Sequence, residues 1–280
     1  MLQGGIKQFY GSEIPLEYLS TGNAAGETLL FVHGMMASLR HFFPSVPNFA
    51  PDYRILCVSL RGHGDSGRPQ PESMDAYSLT KMANDLRLLV DHLGIDQFHY
   101  VGHSMGGMVG YEFYRHYPDY FKTMINLGTP VQLKFNRAMV SFASWFQLQM
   151  VRVLGVARMT RFFARQATKV PTSLDFLVAE VMNPVNWSAT LLEQRQVAKI
   201  SFLDVLEQIR VPLLAIYGES DPGLAIQTKL IKAAAQKNPH IRTEIIHGGG
   251  HVANLDQPQI FNQLLTDFIN QARQRQDHAA

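Results

Sequence analysis

The stretch Phe98-His99-Tyr100-Val101-Gly102-His103-Ser104-Met105-Gly106-Gly107 decides how the rest of this sequence is interpreted. Residues 98–101 are typical of a buried β-strand, and a helical pattern follows the glycines until Pro118. The segment 102–106 matches Gly-x-Ser-x-Gly, in which the serine occupies a strained turn from strand to helix that presents its Oγ. Glycine is needed two residues before and after it, because neighbouring backbone approaches too closely for a Cβ.

Strand-like and helix-like segments alternate on both sides of this turn. Short apolar runs occupy 28–32, 54–60, 124–127, 212–217 and 243–246. Helical periodicity occupies 79–93, 225–236 and 258–272, and in the first of these segments Ser78 is expected to cap the helix and Gly94 to end it. The alternation predicts an α/β fold, a doubly wound and mostly parallel sheet with helices on both faces.

Residues 131–205 interrupt this alternation. They look helical throughout and contain no buried-strand run, although they lie between two parts of one α/β pattern. We therefore predict three segments: a first part of the core over 1–130, an inserted helical cap over 131–205, and a second part of the core over 206–280.

The chain resembles the α/β-hydrolase superfamily over nearly its whole length. Gly-His-Ser-Met-Gly-Gly at 102–107 is the form common among its esterases, monoacylglycerol-type lipases and lysophospholipases. The resemblance implies that Ser104 is the nucleophile of a serine hydrolase; an aspartate there would have indicated an epoxide hydrolase or a haloalkane dehalogenase. The loop 61–67 also matches a family motif, but Ser59 stands where the family usually carries Asp. We expect this loop to be scaffold and not to supply a catalytic His63 or Ser66.

A serine hydroxyl needs a base, and in this family the order along the chain is Ser, then Asp or Glu, then His. His251 follows three glycines and resembles the family's His-x-x-x-x-acid-x-Pro pattern, with Asp256 as the acid, so it is the predicted base. Asp221, which follows the strand at 212–217, is predicted to orient the imidazole and to stabilise its protonated form. His247 and Glu219 are the nearest competitors for these two roles.

The developing oxyanion needs two backbone donors. The resemblance implies the amide of Met105, directly after the nucleophile, and the amide of Met35, in the loop after the first buried strand. Gly34 then lets the backbone approach the substrate.

The predicted cap is both basic and apolar. Between Val131 and Val170 there is no Asp or Glu, and the basic residues are Lys134, Arg137, Arg152, Arg158, Arg161, Arg165 and Lys169. Large apolar residues recur at helical spacing: Met139, Phe142, Trp145, Phe146, Met150, Val153 and Leu154. These could form a core-facing stripe with solvated arginines outside, or a surface for an anionic membrane interface. In both cases we expect an apolar roof over Ser104, with a substrate pocket formed by Gly34, Met36, Phe142, Trp145 and Phe146.

Composition excludes several other classes. The net charge of +2 gives no reason to expect a nucleic-acid partner, and no histidine cluster has ligand-like spacing, so neither a metal nor an organic cofactor is expected. No secretory signal is visible in the first ten residues and no run of about 18 apolar residues is present, so a cytoplasmic protein is predicted.

The sequence thus predicts a serine esterase that cleaves a carboxylic ester with a hydrophobic acyl or aryl group through an acyl-enzyme. A C–C bond hydrolase, a lactonase, a thioesterase or an acyltransferase would use the same residues, and a non-catalytic ligand receptor could retain the pocket. The sequence indicates neither the physiological substrate nor the oligomeric state.

Overall fold

The computed structural model describes residues 5–277. The strands are β1 Ile6–Phe9, β2 Leu16–Gly22, β3 Thr28–Val32, β4 Arg54–Val58, β5 Phe98–His103, β6 Phe121–Leu127, β7 Gln132–Lys134, β8 Lys199–Ser201, β9 Leu213–Gly218 and β10 Ile241–Ile246. The helices are α1 Val46–Phe49, α2 Leu79–His92, α3 Met105–His116, α4 Arg137–Leu154, α5 Val156–Ala167, α6 Pro171–Phe176, α7 Trp187–Val197, α8 Leu203–Gln208, α9 Leu224–Ala235, α10 Ala253–Asp256 and α11 Pro258–Asp277.

Eight of the strands form one sheet in the order β1-β2-β4-β3-β5-β6-β9-β10. The strands from β4 to β10 in this order are parallel, whereas β2 runs antiparallel to both β1 and β4. The strands at its centre are buried on both faces because helices cover both sides. The predicted doubly wound, mostly parallel α/β fold is confirmed.

Two apolar cores lie on the two faces of this sheet. One contains side chains of α2, α3, α8 and α9, such as Leu86 and Val109. The other contains side chains of α1 and α11, such as Phe49 and Phe261. This layering holds the sheet rigidly and leaves the loops at its edges free to carry chemistry.

The register of the parallel strands brings four loops to one edge. His103 pairs with Leu127, and Leu127 pairs with Ile216. Ile246 pairs with Gly218. The chain therefore leaves β5, β6, β9 and β10 at neighbouring points, which is where ligands bind in open α/β sheets.

The helices α4 to α7 lie between the short strands β7 and β8, which pair antiparallel to each other. The expectation that residues 131–205 are helical throughout is therefore wrong at these two strands, which are three residues each and not buried. They were missed because neither forms an apolar run. The boundaries of the cap stay a prediction.

The core-facing interpretation of the α4 apolar stripe is also wrong. Only Ser144 and Val151 are buried on this helix, whereas Met139 is 72% exposed and Phe142 68% exposed. The stripe lies on the side of α4 opposite to these two buried residues, because the helical period separates the two sets. None of the helices described between residues 5 and 277 combines the length and apolarity that a bilayer-crossing segment needs.

Candidate active site

Ser104 occupies the turn between β5 and α3 with φ 50° and ψ −114°, a left-handed backbone that non-glycine residues rarely adopt. A hydrogen bond from its amide to the Leu127 carbonyl, at 2.8 Å, holds the turn against β6. A Cβ at Gly102 would lie 2.7 Å from the Gly107 Cα, and one at Gly106 would collide with the Val32 carbonyl oxygen. The two glycines are therefore required by close backbone approach, and the strained turn directs Ser104 to the sheet edge.

The His251 ring is oriented by a carboxylate. Its Nδ1–H donates to Asp221 Oδ2 at 2.8 Å, and the Gly223 amide donates to the other carboxylate oxygen at 2.9 Å. Because Nδ1 carries the proton in this hydrogen bond, Nε2 of the neutral ring has a free lone pair. Gly128, with φ 57°, allows the pair to pack closely, since a Cβ there would lie 3.1 Å from both side chains.

Ser104, Asp221 and His251 border one cavity of about 360 Å³. Within the described chain, no hydrogen bond joins the Ser104 hydroxyl to the His251 ring; such contacts often tighten only when substrate binds. The structure thus brings the three side chains to one place, and their catalytic roles stay predictions.

The two competitors for the base and the acid lie elsewhere. His247 and Glu219 interact with each other, Nδ1 to Oε1 at 3.2 Å, with side chains 82% and 53% exposed. Neither borders the cavity that contains Ser104. Their exposure to solvent gives them no means of excluding water from a reaction.

The cavity is mostly apolar. Its apolar lining includes Met35, Met36, Phe163, Leu177, Met182 and Val252. The prediction of Phe142, Trp145 and Phe146 as pocket residues is wrong, because all three are more than half exposed and none borders the cavity. Of the predicted pocket, Met36 lines the cavity, while Gly34 lies against the nucleophile, where a Cβ would be 3.1 Å from the Ser104 Cβ.

The two residues predicted to supply oxyanion donors are Met105, which follows Ser104 in the chain, and Met35, which borders the same cavity. Met105 begins α3, so its amide has no acceptor within the helix and lies at the positive end of the helix dipole. Met35 lines the cavity. The loop that carries it is held by His33, whose Nδ1–H donates to the Gly34 carbonyl at 2.7 Å and whose Nε2 accepts from the Leu60 amide at 3.0 Å. The donor roles of both amides stay predictions.

Two buried histidines that we did not predict support the His251 loop. His41 and His103 stack at 4.4 Å, and His103 Nε2–H donates to the His251 carbonyl at 3.0 Å. Burial lowers the pKa of His41 to about 3 and the pKa of His103 well below its usual range, so both rings are neutral at pH 7. The only sequence signal was the position of His103 inside the Gly-x-Ser-x-Gly motif.

A third unpredicted contact joins α7 to the loop of Met35 and Met36. The Met36 amide donates to His63 Nε2 at 3.3 Å, and Glu193 Oε2 lies 3.5 Å from the same nitrogen. Burial raises the pKa of the Glu193 carboxyl well above its usual range and so favours its protonated form. His63 thus holds the loop of Met36 and does not border the cavity that contains Ser104; its role as scaffold stays a prediction.

The remainder of that loop is anchored by buried charges. Arg61 makes a bidentate ion pair with Asp85 of α2, at 2.7 and 2.9 Å. Ser59, which replaces the usual family aspartate, donates to Glu17 of β2 at 2.6 Å. Glu17, which is fully buried, also accepts from the Asp65 amide at 3.0 Å and so holds this loop against β2.

The helix α5 contacts the His251 loop directly. The His251 amide donates to the carbonyl of Ala167, the last residue of α5, at 2.8 Å. Asp256 accepts from Thr168 Oγ1 at 2.5 Å and from the Gly250 amide at 2.7 Å. The acid of the His-x-x-x-x-acid-x-Pro pattern therefore ties the base-bearing loop to the cap side of the cavity. No group of His, Cys, Asp and Glu side chains among the described residues is arranged to hold a metal ion.

Comparison with known proteins agrees with this architecture. The chain is 25% identical over 254 residues to 3-oxoadipate enol-lactonase 2 of Acinetobacter baylyi, covering 89% of this chain and 91% of that protein. It is 22% identical over 288 residues to epoxide hydrolase 1 of Caenorhabditis elegans, covering 92% of this chain and 68% of that protein.

Solved structures show the same fold. A hydrolase from Pseudomonas aeruginosa superposes with a TM-score of 0.82 at 21% identity, covering 95% of this chain and 98% of that chain. The enol-lactonase from Burkholderia xenovorans superposes with a TM-score of 0.80 at 18% identity, covering 94% and 100% of the two chains. Residues 27–258 match the family model described as the alpha/beta hydrolase fold, and this chain belongs to that family.

Proposed function

We propose that this protein is a serine hydrolase that cleaves a carboxylic ester with a hydrophobic acyl or aryl group. One observation carries the proposal: a serine in a strained turn shares a cavity with an imidazole whose Nδ1 is bound to a buried carboxylate at 2.8 Å. This arrangement leaves Nε2 as the only basic atom of the ring, which is the requirement for activating a hydroxyl.

In the proposed mechanism, His251 Nε2 takes the proton of the Ser104 hydroxyl as Oγ attacks the ester carbonyl. The negative charge that develops on the carbonyl oxygen is stabilised by the Met35 and Met105 amides. The tetrahedral intermediate expels the alcohol, which receives the proton from His251, and leaves an acyl group on Ser104. Water then repeats the sequence, with His251 again as base, and releases the carboxylic acid. Asp221 stabilises the imidazolium in both halves.

The cavity supports a hydrophobic substrate. Methionine, leucine, valine and phenylalanine side chains are part of its wall, and a volume of about 360 Å³ lies in the range of small-ligand pockets. A lactone is the second candidate, favoured by the relatives named as enol-lactonases, because it is an internal ester that the same residues would open. The relatives named as epoxide hydrolases favour neither, since Ser104 stands where the resemblance would require an aspartate.

The test is the hydrolysis of p-nitrophenyl esters of increasing acyl length. Ser104→Ala is expected to lower kcat by about 10⁴–10⁶-fold with the fold intact, because the covalent step is lost. Ser220→Ala is the matched control, an exposed serine beside Asp221 that should leave kcat unchanged. Equal rates for wild type and Ser104→Ala would overturn the proposal. Absence of a fluorophosphonate adduct at Ser104 in folded protein would favour a non-catalytic receptor.

A further inference from the structure

The outer surface of α4 and α5 exposes more large apolar side chains than any other region of the described chain. Those more than a third exposed are Met139, Phe142, Trp145, Phe146, Val153, Leu154, Val156 and Phe162. A soluble monomer rarely exposes a contiguous apolar patch of this kind without a binding role. We call this set of residues the outer cap face.

The segment that carries the outer cap face is positively charged and has one neutralising partner among the described residues. All seven basic side chains between Lys134 and Lys169 are exposed. Among residues 5–277, only Arg161 of the seven pairs with a carboxylate, that of Asp175 at 3.6 Å. The remaining six positive charges are therefore available to an external anion.

Charge and apolar surface meet in a hollow between α4 and α5. Its volume is about 600 Å³, and Phe146, Met150, Leu154, Phe162 and Phe163 form its apolar wall. Arg158, Arg161 and Arg165 line the same hollow. A surface with an apolar centre and guanidinium groups around it matches the boundary between lipid tails and phosphate headgroups.

One side chain of α5 borders both the hollow and the candidate active site. Phe163 borders both the hollow and the cavity that contains Ser104. Further along α5, Gln166 and Ala167 also line that cavity. One side of α5 thus faces outward and the other faces the catalytic cavity.

We propose that the outer cap face docks onto the surface of an anionic lipid bilayer, with Trp145 and its apolar neighbours inserted among the lipids and the arginines on phosphates. Charge complementarity favours this occupant over a second copy of the chain, because two copies would bring their unneutralised cations together. The docked orientation presents the Phe163 wall to the bilayer and gives an acyl chain a short route to Ser104. The binding itself does not depend on the proposed hydrolytic activity.

Intrinsic fluorescence tests the insertion directly. The chain has two tryptophans, of which Trp145 is 53% exposed and Trp187 is 6% exposed. Vesicles of equal parts phosphatidylcholine and phosphatidylglycerol at low salt are expected to shift the Trp145 emission to the blue, whereas phosphatidylcholine alone should not. Trp145→Phe should abolish the shift and Trp187→Phe should retain it. High salt should reverse it, because exposed charges are screened.

Co-sedimentation with the same vesicles measures how much the charged and the apolar side chains each contribute to binding. Replacing Arg158 and Arg165 by Gln is expected to lower the partition coefficient about fivefold for each charge removed. Phe142→Ser should lower it about tenfold. The control for the arginine variant is the paired change Lys232→Gln and Lys237→Gln, on exposed residues near the end of α9. The control for Phe142→Ser is Tyr10→Ser, on a residue outside the cap that is 77% exposed. Neither control should alter binding.

Three results would overturn the proposal. One is equal, negligible binding of the folded protein to both kinds of vesicle. Another is a loss of binding in the control variants as large as in the Arg158 and Arg165 variant. The third is a blue shift that grows with protein concentration in the absence of lipid and accompanies a doubled mass, which would make the outer cap face an interface between copies. Far-UV circular dichroism verifies that each variant is folded. Because the measurements report binding alone, their result does not depend on ester hydrolysis.

Discussion

The helices α2 and α4 carry apolar side chains at the same helical spacing, and the structure uses them in opposite ways. In α2, Met82, Leu86 and Leu89 are fully buried against the sheet. In α4, Met139 and Phe142 at the same kind of spacing are exposed, and the smaller Ser144 faces the protein interior. Helical periodicity therefore shows which residues share a face but not whether that face points into the protein.

Charged pairs differ in the same way between the predicted cap, residues 131–205, and the rest of the described chain, which we call the body. Arg61 and Asp85 are almost completely buried, whereas Arg161 and Asp175 are 46% and 72% exposed. Asp85→Ala is expected to lower the free energy of unfolding by about 3–5 kcal/mol, because it removes the buried bidentate partner of Arg61 and leaves only the half-exposed Glu13 carboxylate, at 3.2 Å, beside the buried charge. Asp175→Ala should change it by less than about 1 kcal/mol. Urea unfolding of the two variants measures both, and similar losses would contradict the comparison.

Truncation of one apolar residue in each helix is the next test. Leu86→Ala is expected to destabilise the protein by about 2–5 kcal/mol, because it opens a cavity in the core. Phe142→Ala should change the free energy of unfolding by no more than about 0.5 kcal/mol, although the side chain is larger. Thermal or urea unfolding distinguishes the two. A loss at Phe142 as large as at Leu86 would mean that the outer cap face is covered.

The loss of stability that histidines cause as pH falls should come from the body, because residues 131–205 contain no histidine. Burial lowers the pKa of His41 to about 3, from an ordinary value of 6.5. As pH falls from 6.5 toward 3, the unfolded chain therefore binds a proton that the folded protein does not, and stability is lost. Between pH 6.5 and 5, His41→Gln should lose about 2 kcal/mol less stability than wild type.

Glu193, in the predicted cap, should change the stability with pH in the direction opposite to His41. Its raised pKa favours the folded state at low pH, so this contribution is lost as pH rises above the ordinary carboxyl range. Urea unfolding at several pH values measures how the free energy of unfolding changes with pH in both cases. His240→Gln, at an exposed position, is the control for the replacement of a histidine by glutamine. An acid response of His41→Gln identical to wild type would contradict the assignment of a neutral buried ring.

The smallest expected difference concerns the residues that cap helix N-termini. Their contribution to the free energy of unfolding should be the same in α2 and in α4. The Ser78 side chain accepts from the Lys81 amide at 3.4 Å, and the Asn136 side chain accepts from the Ala138 amide at 2.8 Å. Replacing either by Ala is expected to destabilise by about 1 kcal/mol, because an orphan amide loses its acceptor. Chemical unfolding of both variants tests this, and an unchanged midpoint for both would show that solvent replaces the caps.

Sequence patterns predicted the body well because its strands are continuous apolar runs and its loops carry glycines that steric contact requires. Gly102 and Gly106 pack against backbone, and Ser104 has the strained φ that the motif implies. The carboxylate that accepts from Ser59 could not be predicted, since Glu17 lies 42 residues from Ser59 and meets it only through sheet pairing.

The sequence by itself determined the α/β alternation, the turn at Ser104, and the order in which Ser104, Asp221 and His251 follow their strands. These are local properties, because propensity, close backbone approach and strand length act over a few residues. Only the tertiary structure decided that α5 and not α4 lines the cavity, that His41 and His103 are buried as neutral rings, and that Phe142 and Trp145 face outward. Those outcomes depend on which surfaces pack together, and helical spacing is the same for a face turned toward the core and a face turned toward solvent.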